Sequence, residues 1–152
     1  MKITSSAFQP GAEIPPTYTQ EGENSNPPLA ITEVPPQAQS LALIVEDPDT
    51  PHGTLTHWII FNLDPKVGVI LDNTVPLGAN QGVNLSGRLD YRGPKPPSGT
   101  HRYFFRIHAL DTRLPLQDGA TREEVEQAMK GHVIATAELM GRYTAGSAVA
   151  VR

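Results

Sequence analysis

The chain contains no cysteine, which excludes disulfides, thiolate metal sites and a cysteine nucleophile. Basic residues are few and scattered: 12 Lys and Arg stand against 16 Asp and Glu, for a net charge of −4. Nucleic-acid binders carry a basic stripe along the phosphate path, so no nucleic acid is expected as a partner. Long apolar runs are missing too. Nothing reaches the length of a membrane span, and Met1 to Pro10 lacks the apolar core of a signal peptide. The expected setting is therefore cytoplasmic. Charged residues make up only 18%, which disfavours a helical bundle.

What the chain does have is proline. It carries 15 prolines and 13 glycines in 152 residues, with proline at about twice its average usage. Short strands joined by shaped loops follow from that composition, and the length suits one domain over 1–152. No internal repeat or linker divides it.

The pattern predicts an edge strand over Ile3–Phe8 and a short strand over Leu29–Val34, stopped by Pro35-Pro36. Leu41–Glu46 is a nearly continuous apolar run, as in a strand buried on both faces. Asp47 is next on the Leu41, Leu43, Val45 face. Asp47-Pro48-Asp49-Thr50-Pro51 then breaks the chain, and a cis proline is one way to make that break. The chain re-enters at Leu55–Leu63. Strict alternation there puts Leu55, His57, Ile59, Phe61 and Leu63 on one face and Trp58 on the other. Residues 66–90 read as a long connection with one brief strand over Val67–Ile70.

Gly93 to Gly99 is an irregular loop of fixed shape, with three prolines and two glycines in seven residues. From Thr100 the residues become β-branched and aromatic, which predicts a strand. His101, Tyr103, Phe105, Ile107 and Ala109 share its apolar face. Thr121-Arg122-Glu123-Glu124 is a capping box, with Ala120 and Val125 as its staple, and it opens a short helix that Gly131 ends. His132–Met140 reads as a strand, and Gly141–Arg152 as a loosely ordered tail.

Asp47, His57 and His101 are thus ionisable groups at or within apolar faces, with Tyr103 beside the last. A buried imidazole costs stability unless it is hydrogen-bonded, so three such groups are most simply explained as neighbours. Asp47 would then orient one histidine and favour its charged form. Backbone amides of the glycine-rich loop and the Tyr103 hydroxyl would complete a pocket for a small anion such as a phosphate ester. Two readings compete with this one. Two histidines and a carboxylate also make a metal triad or an acid/base site, although no local ligand spacing supports a metal. A protease inhibitor acting through the Pro-rich loop, with Lys95 at its tip, would leave the pocket dispensable. His52, His108 and His132 read as surface or satisfied core residues.

Asp47-Pro48-Asp49-Thr50-Pro51 followed by His57-Trp58 resembles a motif block of the phosphatidylethanolamine-binding protein family. Tyr91-x-Gly93-Pro94-x-Pro96-Pro97-x-Gly99-x-His101-Arg102-Tyr103 is similar to its second block. Gly131-His132-Val133 through Gly141-x-Tyr143 resembles the C-terminal segment of its bacterial and archaeal branch. The resemblance implies a mainly β, antiparallel β-sandwich-like fold with one or two short helices. It also implies an anion pocket lined by Asp47, His57, Gly93, His101 and Tyr103 and shaped by Asp49, Tyr91 and Pro97.

Relatives inhibit kinases and proteases, so the expected partners are a phosphate-type anion or phosphorylated ligand and an enzyme of either class. No cofactor or metal is expected, and a homodimer is left open. The chain departs from the family in three places. After Tyr143 it is too short and too rich in Ala, Gly and Ser to match the gating helix of the eukaryotic branch, which includes the Raf kinase inhibitor protein. Lys95 replaces a glycine or cysteine. Asn84-Leu85-Ser86-Gly87 replaces an Asn-Asp-Phe-Gly-like pattern.

Overall fold

The computed structural model describes the backbone of residues 1–150. Its elements run β1 (Lys2–Thr4), β2 (Leu29–Thr32), β3 (Ser40–Asp47), β4 (Leu55–Leu63), β5 (Val69–Ile70), β6 (Asn80–Gln81), β7 (Thr100–Leu110), α1 (Arg122–Met129), β8 (Val133–Thr144) and α2 (Ser147–Ala150). A large antiparallel sheet has the order β6-β4-β3-β7-β8, and a small one the order β1-β2-β5.

The two sheets pack around one apolar cluster. Ile3, Leu29, Ile31 and Ile70 come from the small sheet, and Leu43, Val45, Trp58, Ile60, Phe105 and Ile107 from the large one. On the far face of the large sheet, Ala42, Ile44, Ile59 and Phe61 meet Val125 and Met129 of α1. This explains why all eight residues of β3 are buried. One face is covered by a sheet and the other by a helix. The mainly β expectation holds, as does the reading of β3 as a strand covered on both sides.

Local chemistry sets the element ends. The Ser5 hydroxyl accepts from the Ala7 amide at 3.1 Å, an alternative to the ladder that stops β1 well short of Phe8. Glu33 adopts a left-handed φ of 56°, which ends β2 at Thr32. The capping box forms as expected: Thr121 Oγ1 accepts from the Glu124 amide at 3.1 Å, and Glu124 Oε1 from the Thr121 amide at 2.9 Å. Gly131, with φ 83°, reverses the chain into β8. All peptide bonds among the described residues are trans, so no cis proline shapes the 47–51 turn.

Three expectations need correcting. Gly141–Thr144 belongs to β8 and Ser147–Ala150 is a helical turn, so the tail reading fails up to residue 150; residues 151 and 152 lie outside the described ones. The 66–90 connection also contributes β6, whose two residues are too few to carry a pattern. Most consequential, β4 does not alternate. Its pairing with β3 slips between Val45↔Trp58 and Glu46↔Thr56, and again between Leu41↔Leu63 and Leu43↔Ile60. Each slip is a bulge that inserts an extra residue and re-aims the side chains after it. His57 and Trp58 therefore both face the inter-sheet core, while Ile59 and Phe61 face α1.

Because Thr121 and Glu124 satisfy each other's backbone amides, Thr121→Ala is expected to cost about 1 kcal/mol of stability. The check is a lower urea midpoint with an unchanged slope.

Candidate functional site

The side chains of Asp47, His57, His101 and Tyr103 gather at one end of the inter-sheet core. Asp47 is the last residue of β3 and is buried. One carboxylate oxygen accepts the Asp49 amide at 2.7 Å, which shapes the Asp-Pro turn. The other lies 2.6 Å from His101 Nδ1. Facing a carboxylate, that nitrogen donates. Asp47 therefore orients His101, as one of the two histidines was expected to be.

His57 is held from a different direction. Its Nδ1 donates to the Arg92 carbonyl at 2.5 Å, and the Arg92 amide donates to the His57 carbonyl at 3.1 Å. The ring meets Tyr103 edge-on, with centroids 5.3 Å apart at 88°. With the proton fixed on Nδ1, the neutral ring carries its lone pair on Nε2. That atom is buried and has no hydrogen-bond partner. Burial lowers the His57 pKa, against the opposing pull of the Arg92 carbonyl and the Asp47 carboxylate. Burial and then the Asp47 charge raise that of Tyr103. Burial thus favours a neutral imidazole and a protonated phenol.

Gly93 plays a role other than that of amide donor to the pocket. Its N–H donates to Asn24 Oδ1 at 2.7 Å, since a buried amide needs a partner. A Cβ at this position would lie 2.3 Å from the Tyr18 carbonyl oxygen. Only glycine lets the loop pass so close to the 18–24 segment. Gln20 completes the fastening, donating from Nε2 to the Gly93 carbonyl at 2.9 Å and from its amide to the Pro94 carbonyl at 3.0 Å. Tyr91 donates to the Tyr18 carbonyl at 2.6 Å and stands edge-on to Trp58 at 5.5 Å. Pro96 is buried, whereas Pro97 and Lys95 are exposed.

Asp49 braces the rim. Its carboxylate accepts two bonds from the Arg102 guanidinium, at 2.8 and 3.0 Å, and one from the Arg102 amide at 2.8 Å. The Arg102 side chain, against the cost of burial, holds its pKa at about 2. Neither charge of that pair is left for a ligand.

Sequence reasoning missed Asn24, Arg92 and Glu21. Asn24 and Glu21 lie in a polar, turn-rich run with no periodicity to single them out, and Arg92 acts through its backbone. Glu21 accepts the Tyr143 hydroxyl at 2.6 Å and the Gly146 and Ala148 amides at 3.1 and 3.4 Å. It thereby ties α2 beside the site. Asn84 organises its own divergent loop, donating to the Asp90 carbonyl at 2.8 Å and accepting from the Ser86 amide at 2.8 Å. His52 is exposed, His108 reaches Thr136 at 3.2 Å and His132 pairs with Asp111 at 2.7 Å; none joins the cluster. Among the described residues, no three His, Cys, Asp or Glu side chains are grouped to hold a metal ion. Asp47, His57 and His101 do not close into a triad.

Two packed antiparallel sheets with a buried Asp-His pair at one end define the class, and comparisons with known proteins agree. The model of the phosphatidylethanolamine-binding protein family matches residues 4–144. A UPF0098 protein of Methanothermobacter thermautotrophicus is 50% identical over 151 residues, covering 96% of this chain and 100% of its own. The crystal structure of a phosphatidylethanolamine-binding protein homologue from Chlamydia trachomatis superposes with a TM-score of 0.90 at 45% identity, over 93% of this chain and 95% of its own. E. coli YbcL, described as a member of the mammalian family, gives 0.87 at 30% identity over 94% and 97%. The chain belongs to the phosphatidylethanolamine-binding protein family.

The Asp49 pKa sets a pH dependence. A carboxylate depressed in the folded state stabilises fully above its unfolded value, near 3.9, and that contribution is lost as pH falls toward about 2. Unfolding free energy measured across this window should drop with acid in the wild type. Asp49→Asn should remove that part of the slope and lower stability at neutral pH.

Proposed function

We propose that this is a non-enzymatic binding or regulatory protein whose Asp47, His57, His101 and Tyr103 hold a small phosphate-type anion. The observation that carries this reading is the buried, unpartnered Nε2 of His57. A buried polar atom without a partner is costly, and a ligand atom beside it removes the cost. Charge favours an anion. Asp49 is neutralised by Arg102, and Asp47 is engaged by His101. Once protonated, His57 is the positive group with no side chain hydrogen-bonded to it, and the Asp47 carboxylate acts on it only through space. Tyr103 adds a hydroxyl donor, and the fastened 91–97 loop, with Tyr91, gives the wall its shape.

A phosphate monoester suits this arrangement because its second pKa lies near 6. It either brings a proton to Nε2 or stabilises one taken from solvent. The partner enzyme, a kinase or a protease, would be met through the exposed Lys95 and Pro97 at the rim. The 2.6 Å Asp47–His101 contact also suits an acid/base enzyme, in which an aspartate orients a working histidine. Turnover of a phosphate ester during titration would favour that second reading.

Calorimetric titration with phosphate, phosphoethanolamine and phosphotyrosine tests the proposal. His57→Ala removes a charge-assisted bond of roughly 1.5–3 kcal/mol, so affinity should fall by about tenfold or more. Equal affinity in the variant would refute the site.

The pH dependence has a defined sign. Burial lowers the His57 pKa, and the proton that would face a bound anion is harder to hold as pH rises, so affinity should fall from pH 5 to 8. Titrations in buffers of different ionisation enthalpy should show proton uptake that His57→Ala abolishes. A flat profile would mean that His57 is not the charged donor.

A further inference from the structure

Among the described residues, three buried side-chain nitrogens have no hydrogen-bond partner: His57 Nε2, Arg92 Nε and Arg106 Nε. A polar atom shut off from water and left without a partner is costly. Arg106 has its charge answered, since Glu46 lies 3.5 Å from that same nitrogen and Glu138 lies 3.6 Å from the Nη1 atom. The other two nitrogens belong to residues tied to each other. His57 Nδ1 donates to the Arg92 carbonyl, and the Arg92 amide donates to the His57 carbonyl. The anion reading uses the His57 ring and the Arg92 backbone, and leaves the Arg92 guanidinium without a role.

That side chain is half-buried, and the carboxylates around the pocket are engaged elsewhere. Asp90, the acid nearest to it in sequence, pairs with Arg88 at 3.1 Å. Asp47 pairs with His101, and Asp49 with Arg102. Glu21 accepts the Tyr143 hydroxyl and the Gly146 amide. The Arg92 charge nevertheless reaches the pocket. Burial is the main cause of the low His57 pKa, and the Arg92 charge lowers it further.

We infer that Arg92 is a second anchor for the ligand of this pocket, selecting a phosphate compound that carries a carboxylate beside its phosphate; this rests on the anion reading of His57. A planar guanidinium matches a planar carboxylate with two parallel N–H bonds, and the buried Nε supplies one of them. Because His57 and Arg92 are fastened backbone to backbone, a molecule of amino-acid size meets both. Its phosphate takes the imidazole and its carboxylate the guanidinium. An ammonium group in the second place would face an unpaired positive charge and be repelled. A phosphoethanolamine group is therefore the poorer ligand and a phosphoserine group the better.

Calorimetric titration with inorganic phosphate, phosphoethanolamine and phosphoserine is the test, because the last two differ only by the carboxylate. Phosphoserine should bind the wild type about tenfold more tightly, the effect of one charge-assisted bond. In Arg92→Gln that preference should vanish, while affinity for inorganic phosphate changes far less. Arg92→Lys keeps the charge without the fork and should retain only part of the preference. Vesicles bearing phosphatidylserine present the same two groups on a lipid. Binding there with the same Arg92 dependence assigns a membrane headgroup as the source, and binding of free phosphoserine alone assigns a soluble one. Equal affinity for phosphoserine and phosphoethanolamine, or a preference that survives Arg92→Gln, overturns the inference. If inorganic phosphate still binds and is lost in His57→Ala, the anion pocket stands without it. If none of the three binds, both fall. The wild-type comparison needs no variant, so it decides the matter even should Arg92→Gln misfold.

Discussion

The site depends on the bulge in β4. In a regular ladder, His57 and Trp58 would point to opposite faces of the sheet, and one of them would lie under α1. The slip between Val45↔Trp58 and Glu46↔Thr56 turns both toward the inter-sheet core. Trp58 then braces Tyr91 while His57 meets Tyr103. Loop and strand are positioned by adjacent residues of one irregularity. A second slip, around Asn62 with its φ of 55°, returns Leu63 to the core. Bulges near ligand sites commonly re-aim side chains in this way.

Burial then decides what those side chains can do. His57 is 4% exposed and Asp47 2%, so neither is solvated and each must find its partners within the fold. Asp47 finds two, in His101 and the Asp49 amide. His57 finds one, and its second nitrogen has none. This asymmetry separates an orienting pair from a receptive group, although both histidines read alike in the sequence.

Much of this was legible in the residues. The apolar run at β3, the alternation of β7 and the Thr121–Glu124 box each state a local preference that the fold keeps. The convergence of Asp47 with His101 was legible for the same reason, because a polar group on an apolar face must be matched. The faces of β4 were not. A bulge leaves no mark in the order of apolar residues, so strict alternation placed Trp58 on the wrong side. The role of Gly93 was only half visible. Its smallness mattered, but the need comes from the Tyr18 carbonyl, which lies far away in sequence. Asn24 and Arg92 act through contacts 69 and 35 residues distant, beyond the reach of any local pattern.

Those long separations have a thermodynamic corollary. Asp47 and His101 are 54 residues apart, and the residues that build the cluster and fasten Gly93 run from Gln20 to Tyr103. No short fragment of the chain can preassemble the cluster, because β3, β4 and β7 must all be paired before its side chains meet. A molecule that binds there binds the native state and has no counterpart site in the unfolded ensemble. Occupancy therefore draws the folding equilibrium toward the native state by RT ln(1 + [L]/Kd). The resting stability of the protein would then gauge the concentration of any such molecule.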